Sequence, residues 1–379
     1  MRPPPDRLVR LPEQYFTALL GRVQAAAALA GEPLVDLGRG NPEVGPPVHV
    51  VEALVRAARD PDQRVHGYAP FRGLPELREA VAARYRDVYG VELDPEREVA
   101  VVPGSKTALI ELVLALAERG TKVLLPDPGY PDYPSGVALA GAQLVPLALE
   151  ETAGWAPDFA AAPREDVAAV YLNYPSNPCA AAAPAGTFAD AVAYARETSA
   201  AIVHDFAYGD LVFDGRAPES FLAEPGAREV GVEMFSMSKT YGMAGWRLGF
   251  VVGNAEIVER INLLSDHARA GIFAPLQRAA IAAFTGPQDS VEERRAAYER
   301  RRDRVLTLTA GQSAGTFFVW VRIPKGLSAE RLLAEHRVAV APGEGFGANG
   351  AGWARISLAV TDETLDLGLE RLARAFSPV

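Results

Sequence analysis

FSMSKTYGMAGWRLGFVVGN, Phe235 to Asn254, places a lysine between two strand-like runs, with serines before it and a glycine-rich turn after it. Lys239 is conspicuous in this chain. Lysine occurs four times (Lys106, Lys122, Lys239, Lys325), against thirty-four arginines. A sequence that writes nearly every cation as arginine has kept an amine here. The flanks, MFSMS and RLGFVVGN, are short apolar runs that end in polar or glycine residues, the signature of strands buried on both faces.

Working outward, the same pattern recurs. VAVVPGS, KVLLPDPGY, VAAVYLNYP and AIVHDF are β-branched or apolar runs that stop at glycine, proline or a polar cluster. Amphipathic helical stretches such as LPELREAVAARYRDVYG lie between several of them. This alternation predicts an α/β fold with a mostly parallel sheet flanked by helices, and ligands bind such sheets in the loops beyond the strand carboxyl ends. From about Gln277 the texture changes to Arg-rich helices around TFFVWVRIP and WARISLAV, which predicts a smaller α+β unit. The expected division is an N-terminal arm contributing to the small domain (1–45), a large domain (46–270) and a small C-terminal domain (271–379).

Composition excludes several classes. The chain has 379 residues, 49% hydrophobic and 23% charged, with a net charge of −10. That length suits two domains, and the acidic balance argues against a nucleic-acid partner. MRPPPDRLVR lacks the apolar core of a secretory signal, and no long uncharged apolar run reads as a membrane span. The single cysteine, Cys179, excludes an internal disulfide and a Cys-rich metal site. The expectation is a soluble cytoplasmic chain with no bound metal.

The chemistry follows from the residue types at the strand ends. A desolvated lysine loses its proton readily and becomes a nucleophile toward carbonyls, which arginine cannot do. Near Lys239 in sequence are Ser236, Ser238 and Arg247, all donors to an anion. Upstream, GSKTAL (Gly104 to Leu109) opens a helix whose first N–H groups form an anion site. An amine, hydroxyl and guanidinium donors and a helix start together suit a phosphorylated aldehyde, and pyridoxal 5'-phosphate is that ligand. AIVHDFAYGD ends a strand at Asp205, a carboxylate for the ring nitrogen, with Tyr208 three residues on. NYPSNP supplies Asn177, and either Asn177 or Tyr208 could donate to the ring 3-oxygen.

The order GSK, PGYPDY, NYPSNP, HDFAY, SMSKTYGMAGWRLGF, WARISLA resembles the class I and II aminotransferases of the pyridoxal-phosphate fold-type I superfamily, those of the aspartate and LL-diaminopimelate type in particular. The resemblance runs from LGRGNPE near Gly40 to the end. Its most specific part is SxSKxxxxxGxRxG, matched by Ser236, Ser238, Lys239, Gly245, Arg247 and Gly249. The resemblance implies that Lys239 binds the cofactor aldehyde and then shuttles the substrate α-proton, with Asp205 on the pyridine nitrogen and Tyr208 and Asn177 on the 3-oxygen. It implies phosphate ligands at Ser105, Ser236, Ser238 and Arg247, with Gly104 and Lys106 in the same segment, and an aromatic stacked on the ring at Tyr130. Arg355, helped by Asn177 and the Gly40 backbone, would clamp the substrate α-carboxylate. Tyr68, in HGYAPFRG, would reach the phosphate of a neighbouring subunit, which implies a homodimer with shared active sites. The sequence departs from the family where Cys179-Ala180 follow NPSNP in place of Thr-Gly.

The implied reaction is a ping-pong exchange of an amino group between an amino acid and a 2-oxo acid. Two alternatives stand beside it: a carbon–sulfur lyase or cyclopropane-forming synthase on the same scaffold, and the cofactor-binding module of a transcription regulator. Lys106 raises the substrate question. A cation in a first helical turn is unfavourable unless an anion lies nearby, and that anion is either the cofactor phosphate or a second substrate carboxylate. The second choice implies a dicarboxylic partner such as glutamate, aspartate or a diaminopimelate derivative. His204 and Cys179 are read as structural, and RRAAYERRRDR as a solvated helix face.

Overall fold

The computed structural model describes residues 2–376. Its centre is a seven-stranded sheet built from β2 (Val99–Val102), β3 (Lys122–Asp127), β4 (Gln143–Ala148), β5 (Val167–Asn173), β6 (Ala201–Asp205), β7 (Gly231–Ser236) and β8 (Gly249–Gly253), in the order β2-β8-β7-β6-β5-β3-β4. All neighbours are parallel except β8, which runs antiparallel to both β2 and β7. Strands β2, β7 and β8 are buried at every position, as their unbroken apolar runs require with helices on both faces. Edge strand β4 is mostly exposed.

Register decides what meets at the carboxyl ends. Asn173 pairs with Asp205 across β5 and β6, Asp205 with Met234 across β6 and β7, and Ser236 with Gly249 across β7 and β8. The segments after these strands therefore open on one edge of the sheet.

Helices α1 (Tyr15–Ala27), α2 (Val48–Ala58), α3 (Pro75–Tyr89), α4 (Ser105–Leu116), the single turn α5 (Met237–Thr240), α6 (Ala274–Thr285) and α7 (Asp289–Leu306) are the ones that bear on the site. The small unit contains the antiparallel sheet β12-β13-β10-β9, formed by Ala341–Pro342, Trp353–Ser357, Phe318–Arg322 and Gly311–Gln312. Beside it, β1 (Val35–Asp36) pairs in parallel with β11 (Val338–Ala339), so the N-terminal arm joins this unit. The expected start of the small domain at residue 271 does not match the packing. Helix α6 lies on α2 and α3, and its Ala279, Ala280 and Ala283 share a core with Val50, Leu77 and Val81. Small side chains let α6 approach the large unit closely. The other core, with Phe317 and Val319, takes Tyr298 and Val305 of α7.

The arginine run on α7 is not the solvated face expected of it. Arg294 and Arg302 are buried. Arg294 donates to the carbonyls of Thr240 (2.7 Å) and Gly45 (3.1 Å), and Arg301 to Glu43 (2.5 Å). The guanidinium fork suits this work, because one side chain satisfies several backbone carbonyls at once. No helix among the described residues is long and apolar enough to cross a membrane.

Candidate active site

A cavity of about 490 Å3 opens between the strand ends, α1 and the small sheet. Lys239 lines it from α5. That turn forms because Ser236 ends β7 in extended conformation and its Oγ accepts from Ser238 N at 3.2 Å. Ser236 therefore caps the turn and stays buried behind the wall, whereas Ser238 and Arg247 reach the cavity. Lys239 Nζ donates to Gly40 O at 3.3 Å and lies 5.0 Å from the Phe317 ring centroid and 5.8 Å from that of Tyr208. Burial depresses its pKa to about 8, helped by Arg355 and Arg247 and opposed by Asp205.

Next to it stands an anion cradle. Gly104 has φ +84°, and a Cβ there would lie 2.5 Å from Arg247 Nη2, so only glycine admits the guanidinium. Arg247 itself adopts φ +58°, with Nη1 donating to Ala244 O at 2.9 Å. The start of α4 presents Ser105 and Lys106 on the same wall, and its first N–H groups have no partner within the helix.

Asp205 is the buried acid of the site. Its Oδ2 accepts from the Tyr133 hydroxyl at 2.9 Å and its Oδ1 from Ala207 N at 3.2 Å. No cation stands within ion-pair distance of it among the described residues, and burial raises its pKa despite those two donors. Asn173 fixes the adjoining loop: its Nδ2 donates to Asp205 O (2.7 Å) and its Oδ1 accepts from Asn177 N (2.7 Å).

Arg355 comes from the middle of β13, paired with Trp320 and Ala341. It is 1% exposed. Its Nη1 donates to Asn177 Oδ1 at 2.7 Å and its Nη2 to Gly38 O at 3.1 Å, while buried Nε has no partner. Its carbon lies 3.8 Å from the Phe318 ring centroid. A Cβ on Gly40 would meet Phe318 at 2.9 Å, which accounts for glycine there. No carboxylate neutralises this guanidinium among the described residues, and burial lowers its pKa to about 10, with Tyr208, Tyr15 and Tyr130 opposing. A buried, unpaired guanidinium is costly unless a ligand anion completes it.

Lys239, Asp205, Tyr208, Asn177, Tyr130, Ser105, Lys106, Ser238, Arg247, Gly40 and Arg355 thus share one cavity wall. Tyr68 lies apart from it, 89% exposed. His204 is fully buried, with Nδ1 2.8 Å from Glu233 Oε2. Cys179 is buried beside Trp155 and Trp320 in one apolar cluster, and burial pushes its thiol pKa up. Two site residues escaped the sequence reading. Tyr133 stands in the quoted PGYPDY but carries no motif of its own, and Asn173 was seen only as the start of NYPSNP.

The chain belongs to the aminotransferase class I and II family, whose model matches residues 32–372. Among its relatives is the L-glutamine–4-(methylsulfanyl)-2-oxobutanoate aminotransferase of Bacillus subtilis, 43% identical over 97% of this chain and 95% of that one. The LL-diaminopimelate aminotransferase of Moorella thermoacetica is 38% identical over 98% of each. The substrate-bound structure of BacF from Bacillus subtilis superposes with a TM-score of 0.92 at 39% identity, covering 99% of this chain and 98% of that one. The protein is an aminotransferase that acts on an amino acid and a 2-oxo acid, and the lyase and regulator readings are set aside.

Proposed function

We propose that the cavity holds pyridoxal 5'-phosphate and that the enzyme exchanges amino groups by a ping-pong cycle. The observation that carries this is a lysine amine sharing one cavity with a buried guanidinium that no side-chain carboxylate neutralises among the described residues. The donor set fits the cofactor. Arg247, Ser105, Ser238 and the start of α4 would hold its phosphate, Asp205 its ring nitrogen, Tyr208 and Asn177 its 3-oxygen, and Tyr130 its ring face. When bound, the cofactor supplies an aldehyde that takes the amino group and a ring that accepts the electrons of the substrate Cα–H bond.

This chain's residues do the rest. Arg355 binds the α-carboxylate and fixes which way the α-carbon faces. Lys239 Nζ, which releases its proton more readily than an ordinary lysine because it is buried beside two guanidinium groups, takes the α-proton and returns it. Asp205, fixed by Tyr133 and Ala207, keeps a counter-charge where the ring nitrogen binds. One of the two substrates is a dicarboxylic acid such as glutamate, aspartate or a diaminopimelate derivative, which the relatives named for LL-diaminopimelate support.

An amino acid given alone to the holoenzyme should yield one equivalent of 2-oxo acid per subunit, with no ammonia, and a 2-oxo acid should then reset the enzyme. Continuous ammonia release without an acceptor would sink the transamination reading. Arg355→Gln should lower kcat/KM by about ten- to a hundredfold, since a charged hydrogen bond is worth about 1.5–3 kcal/mol. The loss should be the same for every amino acid tested. A loss confined to dicarboxylic substrates would move Arg355 to the side chain.

The working unit is a two-fold homodimer in which Tyr68 crosses to the phosphate site of the partner subunit. Tyr68 and Phe71 are exposed. Gly271 packs on Ala69 O, which brings the segment of exposed Phe273 to the same loop. Val48, Val51 and Val55 form an exposed apolar stripe along α2. Dilution to monomer should remove activity and loosen the cofactor together. A fully active monomer in sedimentation-coupled assays would rule the shared site out.

A further inference from the structure

We propose that Asp132 sets the side-chain class this enzyme prefers, by holding the charge of Lys106 and leaving a neutral, largely apolar pocket for an uncharged substrate side chain. The proposal rests on the aminotransferase reading above. In that reading, Arg247, Lys239 and Arg355 are engaged by phosphate, amino group and α-carboxylate. Two other cations line the cavity, Lys106 and Arg39. Arg39 is exposed at its mouth, close enough to Asp36 to draw on that carboxyl.

Lys106 is half-exposed, and its Nζ lies 2.8 Å from Asp132 Oδ2. The contact is an ion pair, and the Tyr130 hydroxyl is close enough to act on the same carboxylate. Asp132 is buried, and its Oδ1 accepts from Gln14 Nε2 at 2.7 Å. Gln14 is also the N-cap of α1, with Oε1 accepting from Thr17 N at 2.8 Å. One side chain thus ties the ion pair to the helix that brings Phe16, Leu19, Leu20 and Val23 to the cavity.

The consequence is competitive. A dicarboxylic substrate must draw Lys106 off Asp132, and a buried carboxylate that loses the one cation paired with it among the described residues is strongly disfavoured. An uncharged side chain leaves the pair intact and gains by burial against the apolar residues of α1. Both substrate classes turn over, and the uncharged one has the higher kcat/KM.

The experiment compares kcat/KM of the holoenzyme for leucine, methionine and glutamine with that for aspartate and glutamate, in wild type, Asp132→Asn and Asp132→Asn combined with Lys106→Ala. Calorimetric titration with glutarate and with pentanoate gives a second readout that needs no turnover. Wild type should favour the uncharged class by about tenfold or more. Asp132→Asn should raise the dicarboxylic-to-uncharged ratio by about ten- to a hundredfold and tighten glutarate relative to pentanoate by a similar factor. The double variant should lose both gains. Should Asp132→Asn fail to fold, the wild-type ratio still decides, because a wild type that favours dicarboxylic acids overturns the proposal. An unchanged ratio in folded Asp132→Asn overturns it too, with the aminotransferase reading intact. No turnover of either class in the wild type would count against that reading instead.

Discussion

Replacing Lys239 by arginine should lower kcat by about 10^4-fold or more while the protein stays folded. A positioned general base contributes about 10^2- to 10^4-fold, and the nucleophilic role is lost with it. Arginine keeps the positive charge and much of the volume but cannot release its proton. Borohydride treatment of wild type with pyridoxal phosphate should fix the cofactor mass on the peptide that contains Lys239. A label on Lys106, Lys122 or Lys325 would overturn the assignment. The same amine leaves a mark on stability. Its folded pKa of about 8 lies below its ordinary 10.5. Between those two values the unfolded chain binds the extra proton, so cofactor-free protein should gain stability as pH rises from about 8 to 10.5. At pH 7 the penalty is fully present, and Lys239→Met should relieve up to about 3 kcal/mol of it. Thermal melts of the cofactor-free proteins across that range measure the difference directly.

Asp210→Ala should destabilise the fold by about 3–5 kcal/mol, as expected when one partner of a buried ion pair is removed. Asp210 Oδ1 accepts from Arg84 Nη2 at 2.6 Å and from the Tyr89 hydroxyl at 2.7 Å, and Oδ2 accepts from Thr240 Oγ1 at 2.7 Å. Both charged side chains are buried, and Arg84 is otherwise ringed by Tyr89, Phe235, Tyr241 and Phe284. Without Asp210 the guanidinium has no counter-charge in an aromatic shell. Denaturant titration of Asp210→Ala against Asp210→Ala with Arg84→Met separates charge from packing. The double variant should recover much of the loss, and equal destabilisation in both would show that packing dominates. Thr240 follows Lys239 in α5, so the single variant should also raise the mobility of the lysine turn.

How far the sequence carries can be read at individual residues. Lys239, Asp205, Asn177 and Arg355 were legible because each ends a strand, follows one within a turn, or sits in a strand with a distinctive neighbour pattern, and parallel sheets bring such strand ends together. The role of Tyr133 is not legible in PGYPDY, because its partner Asp205 lies 72 residues away and only the β3–β5–β6 order of the sheet puts the two in reach. Ser236 was legible as a serine of the motif but not as a cap, since that depends on where β7 stops. The arginines of α7 looked solvated because charge runs usually are. Their carbonyl and carboxylate partners sit on the 43–45 segment and the lysine turn, far off in sequence.

By itself the sequence determined the local terms: buried strands from unbroken apolar runs, a helix start at Ser105, and a reactive amine at Lys239. Those follow from periodicity, backbone preference and side-chain chemistry, all of which act over a few residues. Tertiary structure alone decided which charges are neutralised. Among the described residues Arg355 is left without a carboxylate while Lys106 is held by Asp132, and nothing in WARIS or GSK distinguishes the two cations in that respect. Ion pairing depends on distance and burial across the folded chain, and those distances exist only once the sheets, α1 and the small unit have closed around the cavity.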